Sequence, residues 1–228
     1  MRCMSISPHK GRRPTGCAGP LAVALSLLSA ISTVRADAQH QTVESPARPG
    51  IVLRKHLANS LVTQLERDPQ LPGAGPVVTG PERSVQVSMG SSGAWLTPVQ
   101  VSYKALSNKY CMLAVSDDSM QQIRLVPLPV AALHDTCSRI RTQLLVDANG
   151  TGLRDVVQAV QIRSNRAGFE VTEALVYLAD PRAKAGYCYS AAASRELSVE
   201  SLRSAHAASN ALRQARARLG LNAFACDQ

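Results

Sequence analysis

The chain has 228 residues, enough for one domain plus extensions. Its formal charge of +9 drops to +5 once residues 1–38 are set aside, because five of the Lys/Arg and one of the Asp/Glu lie there. The remaining excess is mild, and no Lys/Arg run is interleaved with aromatics, so a nucleic-acid partner is not expected.

Residues 1–38 read as a signal peptide. Arg2, Lys10, Arg12 and Arg13 form a basic start, an apolar core covers 21–31, and Ala36-Asp37-Ala38 offers the small residues a signal peptidase needs. That core is too short to span a bilayer, which takes roughly 20 residues. The alternative is an uncleaved N-terminal anchor. Arg12-Arg13 lacks the apolar follow-on of a twin-arginine signal, and Cys17 precedes the apolar core, whereas a lipidated cysteine should follow it. The expected mature chain begins near Gln39, with no transmembrane segment. Its Ala/Arg-rich composition and leader read as bacterial, which makes the periplasm or the exterior the expected location.

Four cysteines remain after the leader: Cys111, Cys137, Cys188 and Cys226. An even set in an oxidising compartment implies two disulfides, and four cysteines allow three pairings. Cys111–Cys137 and Cys188–Cys226 are favoured, because each pair brackets one coherent block. The spacings match no common zinc pattern.

In chain order, residues 39–50 are polar and hold Pro46 and Pro49, a flexible lead-in. Leu53, Leu57, Leu61 and Leu65 then recur every fourth residue and predict a helix over 50–68, which packs on a core or docks on a partner. Residues 69–83 are rich in Pro and Gly and read as a linker. From Ser84 the period becomes two. Strands are expected over 84–89, 95–103, 110–115, 140–146, 156–162 and 169–178, with a short one at Tyr187-Cys188-Tyr189. Pro127 and Pro129 confine 123–133 to an irregular or edge strand. Ser198 is the expected N-cap of a C-terminal helix whose apolar face carries Leu202, Ala205, Ala208, Leu212, Ala215 and Leu219, and Gly220 is its stop. The expected fold is α+β: an antiparallel meander of about 6–8 strands over 84–228, with an N-terminal helix and a C-terminal capping helix.

The stretch 144–157 carries the clearest motif. Counting Asp147 as position 1, Asn149 is position 3, Thr151 position 5, Gly152 position 6, Leu153 position 7 through its carbonyl, and Asp155 position 9. Calcium takes about 6–8 oxygen ligands, and this alternation supplies oxygens on one side of a turn. The loop resembles the Asp-x-Asn-Gly-Asp-Gly-x-x-Asp loop of the integrin-α-like FG-GAP and VCBS repeat family, over about residues 143–178. The resemblance implies a calcium loop between neighbouring strands, with Asp147, Asn149, Thr151, Leu153 and Asp155 as ligands. Thr151 stands where the family has an aspartate, and Gln158 where an EF-hand has its glutamate, so any calcium is expected to bind weakly. The single copy excludes a whole propeller. The same residues also suit a metal-free loop in which Asp147 and Asp155 accept its amides.

Catalytic constellations are thin. His40, His56, His134 and His206 are scattered, Cys137 is expected to be oxidised, and 90–93 lacks nucleophile-elbow spacing. The expected function is an exported non-enzymatic binding or accessory protein of the bacterial envelope, of inhibitor or immunity type, with a protein partner. The alternatives are a hydrolase using Asp147, Asp155 and His134 around a metal, and a structural component of an envelope or secretion assembly that docks by the 50–68 helix.

Overall fold

In the computed structural model, which describes residues 51–67, 76–80, 83–89, 92–103, 108–128, 136–163, 168–220 and 223–227, the first element is α1 (Ile51–Arg67). Its Leu57, Leu61 and Leu65 are fully buried, as their four-residue spacing predicts. All described elements fall within the unit Ala38–Gln228. The expected leader and residues 39–50 lie outside the described residues.

Among the described residues nine strands follow, in two antiparallel sheets and not one meander. The first sheet holds β1 (Pro76–Thr79), β2 (Val85–Met89), β3 (Ser92–Tyr103), β4 (Lys109–Asp117) and β5 (Ile123–Leu125). β1 and β2 pair end to end along the same edge of the long β3, so this sheet is four strands wide. The break between them falls opposite Pro98, whose missing N–H would otherwise interrupt a ladder. Gly80 sits in that break with φ +116°, and a Cβ there would lie 2.3 Å from the Pro98 carbonyl oxygen. β1 lies inside the stretch expected to be linker. Its leading proline is tolerated because it starts an edge strand.

The second sheet runs in sequence through β6 (Thr136–Val146), β7 (Asp155–Arg163), β8 (Glu170–Ala179) and β9 (Tyr187–Tyr189). β6 is bulged twice, between Cys137 and Arg139 and between Ile140 and Thr142. With exposed Arg139 and Arg141, the bulges make this edge a poor template for strand addition.

Register assigns the faces. Gln100 pairs with Cys111, and Leu96 with Val115. That face turns to the second sheet: Gln100 Nε2 donates to the Cys137 and Ser138 carbonyls at 2.8 Å, and Cys111 is bonded to Cys137. The alternate residues Trp95, Val99, Val101, Tyr110 and Met112 occupy the other face, and belong to one core cluster with Leu57, Leu61 and Leu65. In the second sheet, Val156, Val160, Leu175, Tyr177 and Tyr189 join that core. Val157, Ala159, Val176 and Leu178 instead form a second core with Leu202, Ala208, Leu212, Ala215 and Phe224. The order of layers is therefore α1, first sheet, second sheet, C-terminal helices, and the central strands are buried on both faces.

The C-terminal region is broken where one helix was expected. α2 (Ala191–Arg195) is capped by Ser190, a single 3₁₀ turn covers Ser201–Arg203, and α3 (Ala205–Leu219) starts at Ser204. Ser204 Oγ accepts the Ala207 amide at 3.1 Å and is the true N-cap. Ser198 only closes the turn before it, where its hydroxyl accepts the Ser201 amide. Of the irregular or edge strand expected over 123–133, the described residues 123–128 hold a strand at Ile123–Leu125, and 129–135 lie outside the described residues. Both favoured disulfides form, and they are of the kind that an oxidising compartment maintains. Among the described residues no helix is long and apolar enough to cross a membrane.

Candidate functional site

The 147–155 loop joins β6 to β7, and its oxygens close on its own backbone. Asp155 is fully buried. Its Oδ2 accepts the amides of Ala148 (2.6 Å) and Asn149 (3.3 Å), and its Oδ1 accepts that of Ala179 at the end of β8 (2.7 Å). Burial pushes the Asp155 carboxyl up to about 6, the three amides pull it down, and the charge of Asp147 adds to the rise. Asp147 Oδ2 accepts the Gly152 amide at 3.3 Å. Asn149 Oδ1 accepts both the amide and the hydroxyl of Thr151, at 3.1 and 2.6 Å. The Thr151 hydroxyl oxygen in turn accepts the Leu153 amide at 3.4 Å. Gly150 and Gly152 supply the positive φ values, +70° and +79°, that let the chain reverse.

Calcium fits this arrangement poorly. Three of the four carboxylate oxygens are aimed at amides, the side-chain oxygens of Asn149 and Thr151 are engaged, and the neutral Thr151 adds no charge. Asp147 Oδ1 is the carboxylate oxygen left buried without a partner. As folded, the loop does not present the about 6–8 convergent oxygens that calcium requires. Elsewhere, Asp180 approaches Cys188 and Cys226, with ligand atoms within 4.8 Å of one another. Those two sulfurs are bonded to each other, so they offer no thiolate to a metal.

A partly enclosed apolar site lies on another flank. The short edge strands β5 and β9, one from each sheet, face each other across a cavity of about 670 Å³. This is within the usual range for a small-molecule site, about 300–1,000 Å³. Ile123, Leu125, Pro127, Ala185, Tyr187 and Tyr189 supply its apolar lining. Gln64 and Arg67 from α1, Arg124 from β5 and Lys184 from the β8–β9 turn make its rim. Arg124 crosses the gap: its Nη1 donates to the Lys184 carbonyl. Asp227 is the acidic residue of the lining, and its Oδ2 accepts the Ala191 amide at 2.5 Å. Burial pushes the Tyr187 phenol well above its ordinary value, and its hydroxyl donates to the Arg154 carbonyl at 2.9 Å, so it is neither a free acid nor a nucleophile.

The structure does not assemble the predicted site residues with this cavity. Asn149, Thr151 and Leu153 line a neighbouring, broader hollow of about 1060 Å³, with Asp180, Arg182 and Phe224, which shares part of its wall with the first. His56 and His206 are exposed on helices, and His206 pairs with Asn210 at 2.9 Å. His40 and His134 lie outside the described residues. Sequence reasoning missed the cavity because its wall comes from four places far apart in the chain. One signal was legible: a proline-limited strand carrying Arg124, and a short Tyr-Cys-Tyr strand, are both natural edges. Compared with known protein families, characterised proteins and solved structures, the chain matches none.

Proposed function

We propose that this chain is an exported, non-enzymatic binding or accessory protein of the bacterial cell envelope, and that it binds through the cavity between β5 and β9. One observation carries the reading. The cavity has an apolar lining and a polar rim, its described lining holds no histidine and no free thiol, and its one carboxylate, Asp227, is bonded to the Ala191 amide. Cys188, which reaches its wall, is oxidised. The leader and the two disulfides support export. The alternative of docking through the 50–68 helix loses force, because Leu57, Leu61 and Leu65 of that face are buried against the first sheet.

The test uses the uncharged fluorescent probe N-phenyl-1-naphthylamine. The disulfide-bonded protein is expected to bind it at one saturable site. Ala183→Trp, at a partly exposed position in the wall, is expected to abolish that binding without unfolding the protein. Unsaturable binding that Ala183→Trp does not change would sink the reading. So would steady turnover of ester or phosphoester substrates that requires an added metal, which would favour the hydrolase.

A further inference from the structure

We infer that the ligand of the β5–β9 cavity is a single-chain anionic amphiphile, an acyl chain ending in a carboxylate; this rests on the binding reading above. The class follows from how charge and apolar surface are divided. Arg67, Arg124 and Lys184 ring the mouth, all exposed, and none makes an ion pair among the described residues. The acid beside them, Asp227, is engaged with the Ala191 amide. Behind the rim the wall is apolar, with Ile123 and Tyr187 nearly fully buried. A ligand charged throughout would leave that wall unmatched, and a neutral one would leave the cations so.

The guanidinium of Arg124 is already held across the mouth by the Lys184 carbonyl. A planar guanidinium pairs well with a carboxylate, and a fixed one loses less freedom on doing so. An extended peptide added to a sheet edge is disfavoured at this flank. The outward carbonyl of Ile123 in β5 accepts Gln64 Nε2, and the outward carbonyl of Tyr189 in β9 accepts the Asp227 amide at 2.9 Å. A new strand would have to displace one of these caps. An acyl chain needs no ladder hydrogen bonds and leaves both in place.

The experiment is displacement of N-phenyl-1-naphthylamine from the full disulfide-bonded protein by dodecanoate, dodecanol or acetate, below micellar concentrations and at neutral pH. Dodecanoate is expected to compete at least about tenfold more tightly than dodecanol, which is roughly 1.4 kcal/mol. Acetate should not compete. Added salt should erode the advantage of dodecanoate alone. Arg124→Gln and Lys184→Gln should each bring dodecanoate towards dodecanol and leave dodecanol unchanged. Because Arg124 also ties the turn to β5, Lys184→Gln and Arg67→Gln keep the test open if Arg124→Gln loosens the wall. A probe that binds while dodecanoate and dodecanol compete equally overturns the inference and leaves the binding reading standing. A preference for dodecanoate that survives all three substitutions also overturns it. Absence of any saturable probe site overturns both.

Discussion

Asp155 shows how one carboxylate can organise a region through backbone amides. It ties the loop after β6 to the end of β8 through three amides, and it is buried while doing so. Asp155→Asn sets an NH₂ group against one of those donors, and is expected to cost about 1–3 kcal/mol, measured by urea unfolding. The pH dependence has a definite sign. Burial raises the carboxyl from 3.8 to about 6, so the folded state holds its proton more tightly than the unfolded chain. The contribution of this group to stability is therefore fully present below about pH 4 and is lost as pH rises through about 6, by on the order of 3 kcal/mol. The Asn variant should lack that slope. Asp147 decides the calcium question. Millimolar calcium is expected to leave the melting temperature of the wild type unchanged. A calcium-dependent rise that disappears in Asp147→Ala would show instead that the loop reopens to hold the ion. At Gly150 a Cβ would meet the flexible guanidinium of Arg216, which can swing aside; the φ of +70° cannot. Gly150→Ala should then cost about 1–2 kcal/mol, the usual penalty for a left-handed residue with a Cβ.

Among the elements, α1 is the one whose placement changes the picture most. Its four-residue leucine spacing was legible, but the same spacing suits a core helix and a docking helix equally. The structure resolves that choice because β3 and β4 are apolar on both faces and need a cover on the side away from the second sheet. Leu61→Ala, at a fully buried position, is expected to destabilise the protein by about 2–5 kcal/mol, read as a lower urea midpoint at unchanged slope. A helix that docked only on a partner would show no such loss. The C-terminal helix differs in kind. Ser198 and Ser204 both precede apolar positions at helical spacing, and propensity does not choose between them. The 3₁₀ turn at Ser201–Arg203 buries Leu202 against the second sheet, so the start of α3 is set by packing and not by capping chemistry.

At the scale of the whole molecule, the two sheets are held together by a shared core, by cross-sheet hydrogen bonds and by one covalent link. Gln158 Nε2 donates to the Met112 carbonyl, Gln143 Nε2 to that of Leu96, and Cys111–Cys137 joins the layers directly. Replacing both of these cysteines by serine is expected to cost about 2–5 kcal/mol in denaturant unfolding under oxidising conditions. An equal loss from removing Cys188–Cys226, which secures the C-terminal segment beside β9, would show that the inter-sheet position has no special weight. Much of this molecule is legible in its amino-acid sequence alone: most strand positions, the turn chemistry of 147–155, the pairing of the cysteines and the face of α1. All but the cysteine pairing are local, because periodicity and left-handed glycines are properties of neighbouring residues; the pairing follows the order of the cysteines along the chain, although Cys111–Cys137 links two different sheets. The division into two sheets, the role of α1 as a cover and the cavity between β5 and β9 are decided only by the tertiary structure. They depend on which strand edges are left unpaired after packing, and Arg67, Arg124, Lys184 and Asp227 are brought together by long-range closure that no local pattern encodes.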